Sequence, residues 1–278
     1  MFPLVSVIMT CYNRETLIAE SIQSVLNSDF SDFEFIIVDD NSSDNSVQVI
    51  KEFAAKDSRI KYFINRQNLG DYPNRNYAAS LATGKYLKYV DSDDLIKPEC
   101  LGEMLAAMEL YPDTSLGICV KNSAVINPVK VSSKESYEMH FFKFPLFNSG
   151  PLHYIIRRDA FEKNGGFENE RMISDSDLWY KLALQYSVVL FRPDLVWQRL
   201  HEKQELSDQK YFIVRAAKIK WKYLLNEKCE LSRGQIKLIR ENRIKRYLGF
   251  FLSSIKRLDF FSAGCYFRCF TFCLKLKV

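Results

Sequence analysis

An α/β fold on a mostly parallel sheet is what this 278-residue sequence predicts, and three observations carry the expectation. Short β-branched apolar runs alternate with stretches of helical periodicity through the first half of the chain, the spacing of βαβ units. The first of these runs, over 5–10, is mostly apolar and β-branched, as a strand buried in a parallel sheet is. Several end in polar or acidic turns, and the carboxyl ends of parallel strands are where such sheets bind ligands. The length and a 47% hydrophobic content suit one large domain with an appendage and exclude a disordered chain.

Taken in order, residues 5–10 form the first strand, and the turn Cys11-Tyr12-Asn13-Arg14 leads into a helix with Leu17, Ile18, Ile22, Val25 and Leu26 on one face. Residues 33–38 form the second strand, ended by the polar run 39–44. Ser43 is placed to cap the next helix, which buries Val47, Ile50 and Phe53. A third strand over 60–64, a helix over 74–82 and a fourth strand over 85–90 follow, and Pro98 opens a helix carrying Leu101, Met104, Leu105 and Met108. From 117 to 173 the pattern is less regular. It holds a turn-rich segment at 148–153, a strand over 154–158 and the tight turn Gly165-Gly166-Phe167. Ser174 suits the N-cap of a helix bearing Leu178, Leu182 and Tyr186, and a further strand over 188–191 precedes Pro193.

The last stretch differs in charge. Residues 210–278 hold 17 Lys and Arg against 4 Asp and Glu, whereas 1–209 hold 22 against 30. The periodicity there is helical, and two readings fit. One is amphipathic helices lying on an anionic membrane surface; the other is a helical lid packed on the acidic body with its cations in water. No stretch of about twenty uncharged residues exists to span a bilayer. The seven cysteines include no CxxC pair, and the N-terminus lacks a signal-peptide pattern. A reducing, cytoplasmic location is therefore expected, extended to the inner face of the plasma membrane if the basic helices bind lipid. Cys265, Cys269 and Cys273 share a helical face and are expected to be buried as small apolar residues.

The chemistry concentrates at Asp91-Ser92-Asp93-Asp94, where three carboxylates stand within four residues. Like charges so close need a cation among them, and a divalent ion carrying phosphates supplies it. A solvated acidic turn capping the next helix is the plainer alternative. Neither GxGxxG nor GxxxxGK[ST] follows any strand, which argues against a dinucleotide fold and a P-loop.

Together the blocks Ser6 to Arg14, Val38 to Asp44, Asn68-Leu69-Gly70 with Arg75-Asn76, Gly84 to Asp94, Gly165-Gly166-Phe167, Asp175 to Trp179 and Trp197 to His201 resemble the family 2 glycosyltransferases, inverting enzymes of the GT-A fold. The resemblance runs from Val5 to about residue 205. It implies a catalytic domain over 1–209, with a nucleotide-binding half (1–115) and an acceptor half (116–209), followed by the basic helical region 210–278. Thr10 and Tyr12 resemble residues that hold the nucleotide base, with Asn13 beside them. Asp40 matches the acid that accepts the base's ring NH, Arg75 the arginine that reaches base or phosphates, and Asp91 the ribose contact, with Ser92 adjoining it. Arg199 matches a cation facing the diphosphate, while Asp93 and His201 match the metal ligands for Mn2+ or Mg2+. Asp175 matches the catalytic base, with Asp177 as second choice because Ser174 stands where the pattern usually has Glu. His153 and Trp179 are acceptor-side candidates, Trp179 reading first as packing. Cys11 replaces a frequent Pro.

The implied function is transfer of a sugar from a nucleotide-diphosphate sugar, UDP-linked by preference, to a hydroxyl of a lipid-linked or saccharide acceptor in cell-surface polysaccharide or glycolipid assembly. Two alternatives remain open. A sugar nucleotidyltransferase would carry a glycine-rich basic first loop, and 10–14 is not one. A nucleic-acid-binding protein would use the basic tail, which lacks a recognised motif, so no nucleic-acid partner is expected.

Overall fold

The computed structural model describes residues 3–121, 124–200 and 212–277. In chain order the elements are β1 (Val5–Cys11), α1 (Ile18–Leu26), β2 (Phe33–Asp39), α2 (Ser46–Ala54), β3 (Ile60–Ile64), α3 (Asp71–Ser80), β4 (Tyr86–Tyr89), β5 (Leu95–Ile96), α4 (Cys100–Leu110) and β6 (Thr114–Cys119). There follow β7 (Val129–Val131), α5 (Ser133–Phe142), β8 (Tyr154–Arg157), α6 (Arg158–Lys163), α7 (Ser174–Gln185), β9 (Ser187–Phe191), β10 (Val196–Trp197), α8 (Ile213–Leu224), α9 (Arg233–Lys256) and α10 (Phe260–Lys275).

Eight strands form one sheet in the order β3-β2-β1-β4-β8-β6-β9-β7. The block β3-β2-β1-β4 is wholly parallel. β8 then runs antiparallel to both β4 and β6, β9 is parallel to β6, and β7 closes the edge antiparallel. The two-stranded pair β5–β10 sets the segment after β9 beside the segment after the acidic cluster.

Burial follows strand alternation. In β1, Val5, Val7, Met9 and Cys11 face a core shared with Ile18 and Ile22 of α1, Ile50 of α2 and Met104 and Met108 of α4. Ile8 faces the opposite core, which holds Ala78 of α3, Tyr137 of α5, Trp179 and Leu182 of α7 and Trp221 of α8. The sheet is thus covered by helices on both faces, and the ends of β1, β2 and β4 open on one side.

Three boundaries differ from the sequence expectation. α3 starts at Asp71 rather than 74: Gly70 turns the chain at φ 85, and Pro73 falls in the first turn, where no amide partner is needed. Ser43 is not the cap of α2; Asn45 precedes that helix, while the Ser43 amide donates to Asn13 Oδ1 at 2.8 Å. Ser174 is the first residue of α7, not its cap, and its hydroxyl turns back to the Glu168 and Glu170 carbonyls.

The basic region packs on the body through α8, whose Tyr223 ring stacks on Tyr180 of α7 at 5.9 Å. α9 and α10 form a hairpin, tied where Arg240 donates to the Cys273 and Leu274 carbonyls at 2.8 Å each. Cys265, Cys269 and Cys273 are buried free thiols, as their spacing predicts. Among the described residues no helix is long and apolar enough to cross a membrane.

Candidate active site

A cleft of about 670 Å3 lies at the carboxyl ends of β1, β2 and β4. Thr10, Tyr12, Asn13, Asp40, Arg75, Asp91, Ser92, Asp93 and Asp175 all line it, so nine residues singled out from the sequence converge on one space. A second depression, near Thr83, Lys85, Arg157 and Arg158, holds none of them.

The first wall is the turn after β1. Asn13 sits at φ 52, a left-handed conformation that asparagine tolerates. Its amide donates to Ser42 Oγ at 2.9 Å and its side-chain oxygen accepts from the Ser43 amide, which locks the β1 turn to the β2 turn. Tyr12 stands beside it with 48% of its surface exposed, an aromatic face free to stack. Arg14 reaches from this turn to Asp93, Nε to Oδ2 at 3.1 Å.

The second wall follows β2. Asp40 is buried and accepts from Asn65 Nδ2 at 2.7 Å and from the Leu69 and Gly70 amides at 2.9 Å each. These bonds fold the 68–70 turn that aims the start of α3 at the cleft. One helical turn on, Asp71 and Arg75 pair at 2.6 Å, and the same guanidinium bonds Asp91 at 2.6 Å.

Asp91, Asp93 and Asp94 form the floor. Burial pushes the Asp91 carboxyl up, and the Arg75 guanidinium opposes that rise. Asp94 is pushed up to about 8 by burial and by the neighbouring Asp91 and Asp93 charges, although its carboxylate accepts the Arg199 amide at 2.9 Å. Among the described residues, four carboxylates, counting Asp71, thus stand at the cleft floor with the guanidiniums of Arg14 and Arg75 paired to them.

Asp175, in the first turn of α7, lines the same cleft beside Tyr72 and Asp71 of α3. Burial pushes its carboxyl up to about 6, with the Asp71 charge adding to the rise. The Ser176 amide and the Tyr72 hydroxyl pull the other way.

Four candidates are not brought into the cleft. Asp177 is turned into the α7–α8 contact, accepting from Tyr223 Oη at 3.0 Å and Lys222 Nζ at 3.1 Å, because it lies two helical positions from Asp175 on a different face. Trp179 is fully buried, stacked 3.9 Å from the Tyr154 ring with Nε1 bonded to the Ser149 carbonyl, so its place is packing. His153 is buried, and desolvation lowers its imidazole to about 3. The Arg199 side chain pairs with Glu20 at 2.8 Å rather than lining the cleft. His201 lies outside the described residues. Sequence reasoning passed over Arg14, Asp71 and Tyr72. Arg14 ends the block Ser6 to Arg14, and Asp71 stands four residues before Arg75, the spacing at which helical side chains meet.

Residues 6–165 match the sequence model of Glycosyl transferase family 2. The chain belongs to that family. This glycosyltransferase is 31% identical over 235 residues to an uncharacterized glycosyltransferase of Methanocaldococcus jannaschii, covering 79% of this chain and 80% of that one. It is 36% identical over 203 residues to the GalNAc(5)-diNAcBac-PP-undecaprenol beta-1,3-glucosyltransferase of Campylobacter jejuni, with 68% and 63% covered. In fold it is similar to TarS of S. aureus, solved in complex with UDP-GlcNAc: TM-score 0.66, 22% identity, 86% of this chain and 70% of that one. It is also similar to the mannosyltransferase PcManGT of Pyrobaculum calidifontis in complex with GDP-Man and Mn2+, with TM-score 0.58, 19% identity and 81% and 64% covered. The GT-A architecture read from the motifs is the fold of this glycosyltransferase.

Proposed function

We propose that this glycosyltransferase moves a sugar, with inversion, from a nucleotide-diphosphate sugar to a hydroxyl acceptor, with Asp175 as the base. The observation that carries the reading is that Asp175 and the Asp91–Asp94 cluster line one cleft. Inversion requires the nucleophile to enter on the face of the anomeric carbon opposite the departing diphosphate, with Asp175 on the entering side.

The nucleotide side is built from Tyr12, stacking on the base, and from Thr10, Asp40 and Asp91. Asp40 holds the 68–70 turn while lining the base end of the cleft. Arg75 spans Asp71 and Asp91 and orders the ribose and phosphate region. Among the described residues, the donors at the cleft floor are carboxylate oxygens, hard ligands that fit a divalent ion such as Mn2+ or Mg2+. Among the described residues no three His, Cys, Asp or Glu side chains form a closed metal cage. Asp93 would therefore hold the ion together with diphosphate oxygens, the arrangement Mg2+ commonly takes. Bound there, the ion neutralises charge on the departing diphosphate.

The step itself balances on this chain's residues. The Asp175 carboxylate takes the acceptor hydroxyl proton as the oxygen bonds the anomeric carbon. The bond from that carbon to the diphosphate breaks with its electron pair on the leaving oxygen. A carboxyl tuned to about 6 is largely ionised at neutral pH and still basic enough to accept the proton. The Campylobacter jejuni relative's undecaprenol-linked acceptor supports a lipid-linked or saccharide acceptor here, in polysaccharide or glycolipid assembly at an anionic membrane face met by the basic region. A UDP-sugar is the donor that the TarS likeness favours. A panel of nucleotide sugars assayed for diphosphate release, with Mn2+, with Mg2+ and with chelator, tests the reading. Release from one donor that stops on chelation is expected, and turnover indifferent to chelator contradicts the metal assignment.

A further inference from the structure

The α9–α10 hairpin leaves the body of the protein. Its near end belongs to the core, through Ile236, Ile239 and Tyr247 on α9 and Cys269 and Cys273 on α10. Its far end does not: Ala263 and Cys265 are buried yet join neither hydrophobic core, so there the two helices pack on each other. α9 is 24 residues long, roughly 36 Å, so its last turns stand well away from α8.

The exposed end carries large apolar side chains among its charges. Every residue from Ile255 to Phe260 is exposed, with Leu258 at 74% and Phe260 at 69%, and Leu252 and Phe267 continue the surface down the two helices. Leu258 sits at φ 58, where a helix normally ends on glycine. A bulky side chain held in a left-handed turn and pointed at solvent needs a use outside the fold.

Charge decides what covers this tip. From 242 to 277 there are eight Lys and Arg and a single acidic residue, Asp259, whose side chain accepts the Ser262 amide at the α10 cap. Lys256 and Arg257 are exposed beside Leu258. Two copies of the hairpin meeting at the tip would bring like charges together, whereas an anionic lipid surface complements both the cations and the apolar side chains.

We infer that the hairpin tip, Ile255 to Phe260, is a membrane-docking wedge: Leu258 and Phe260 enter the headgroup region of an anionic bilayer while Lys256 and Arg257 pair with its phosphates. This deepens the membrane side of the proposed function, on which it rests for its biological sense, and assigns the contact to one segment.

Co-sedimentation of the full chain with vesicles of phosphatidylcholine alone, or of phosphatidylcholine with phosphatidylglycerol, tests it. Binding to the anionic vesicles is expected, with Leu258→Glu plus Phe260→Glu lowering it roughly tenfold or more. Lys256→Glu plus Arg257→Glu should lower it by a similar factor and remove the preference for phosphatidylglycerol. All four side chains are exposed, so far-ultraviolet circular dichroism and thermal midpoint should stay unchanged. Native protein that ignores anionic vesicles, or apolar-to-Glu variants that bind as well as the native chain, would overturn the inference. So would a native dimer, lost in those variants, without vesicle binding. The assay needs no donor and no turnover, so its failure and a failure of sugar transfer are separate results.

Discussion

Arg75 offers the most quantitative perturbation of the site. Its guanidinium is 9% exposed and carries two contacts at 2.6 Å, one to Asp91 and one to Asp71. Arg75→Ala leaves Asp91 as a largely buried carboxylate without its counter-charge, a change that typically costs about 3–5 kcal/mol. Asp71 is a third exposed, so solvent screens its share and most of the loss belongs to Asp91. In urea unfolding followed by tryptophan fluorescence, that loss lowers the midpoint by roughly 1–2 M. The pH dependence has a definite sign. Burial already holds the folded Asp91 carboxyl above its ordinary range, so the folded chain binds this proton more readily than the unfolded one, and stability falls as pH rises. Removing Arg75 takes away the charge that opposes that rise. The loss should therefore be largest near neutral pH and shrink on acidification as Asp91 protonates. Asp91→Asn in the Arg75→Ala background should recover part of it. A variant within about 1 kcal/mol of the native chain, or a loss that does not shrink on acidification, would refute the reasoning.

Three further outcomes are expected. Because burial raises Asp175 to about 6, the carboxylate is lost on acidification through that value, and the transfer rate should fall tenfold per pH unit below it while donor binding holds; a flat profile down to about pH 5 would remove Asp175 as the base. Asp177→Ala strips the acceptor from buried Tyr223 Oη and should lower stability by about 1–3 kcal/mol with donor affinity unchanged, measured by denaturant unfolding and calorimetric titration. Gly84→Ala drives a Cβ to 2.6 Å from the Ser6 amide nitrogen and 2.7 Å from the Val5 carbonyl carbon, so backbone has to move. A thermal midpoint several degrees lower is expected, whereas an unchanged one would show that the backbone where β4 enters its pairing with β1 can yield.

The parallel half of the sheet was legible because β1 and β2 are buried along nearly their whole length and are mostly apolar, while the edge strand over 60–64 still carries the apolar Ile60, Phe63 and Ile64. β6 escaped because Thr114-Ser115-Leu116-Gly117-Ile118-Cys119 carries small and polar residues for packing reasons. A Cβ at Gly117 would meet the Phe191 ring at 2.5 Å and Ile155 Cγ2 at 2.6 Å. α5 escaped because its buried face is Ser136, Tyr137 and His140, which leaves no apolar stripe. Its capping box, Ser132 with Glu135, was the available signal. In the site, residues whose chemistry is set by strand ends were legible. Direction along a helix was not: Asp175 and Asp177 look alike in sequence, and only the presence of Tyr223 and Lys222 on α8 shows which one is taken up by packing. His153 and Trp179 suggested an acceptor site by residue type, but both are buried, Trp179 within the core.

The most direct test of the account compares native chain, Asp175→Asn and Asp93→Ala, using the donor identified by the panel. Donor affinity and transfer are measured side by side, with Mn2+ present and after chelation. Asp175→Asn should bind donor as the native chain does and lose transfer by a factor of about 10²–10⁴, the range a positioned base supplies. Asp93→Ala should lose the metal-dependent part of donor binding along with transfer. Full turnover by Asp175→Asn, or donor binding by Asp93→Ala with an undiminished metal response, would contradict the division of the cleft into a leaving-group floor and a base on α7.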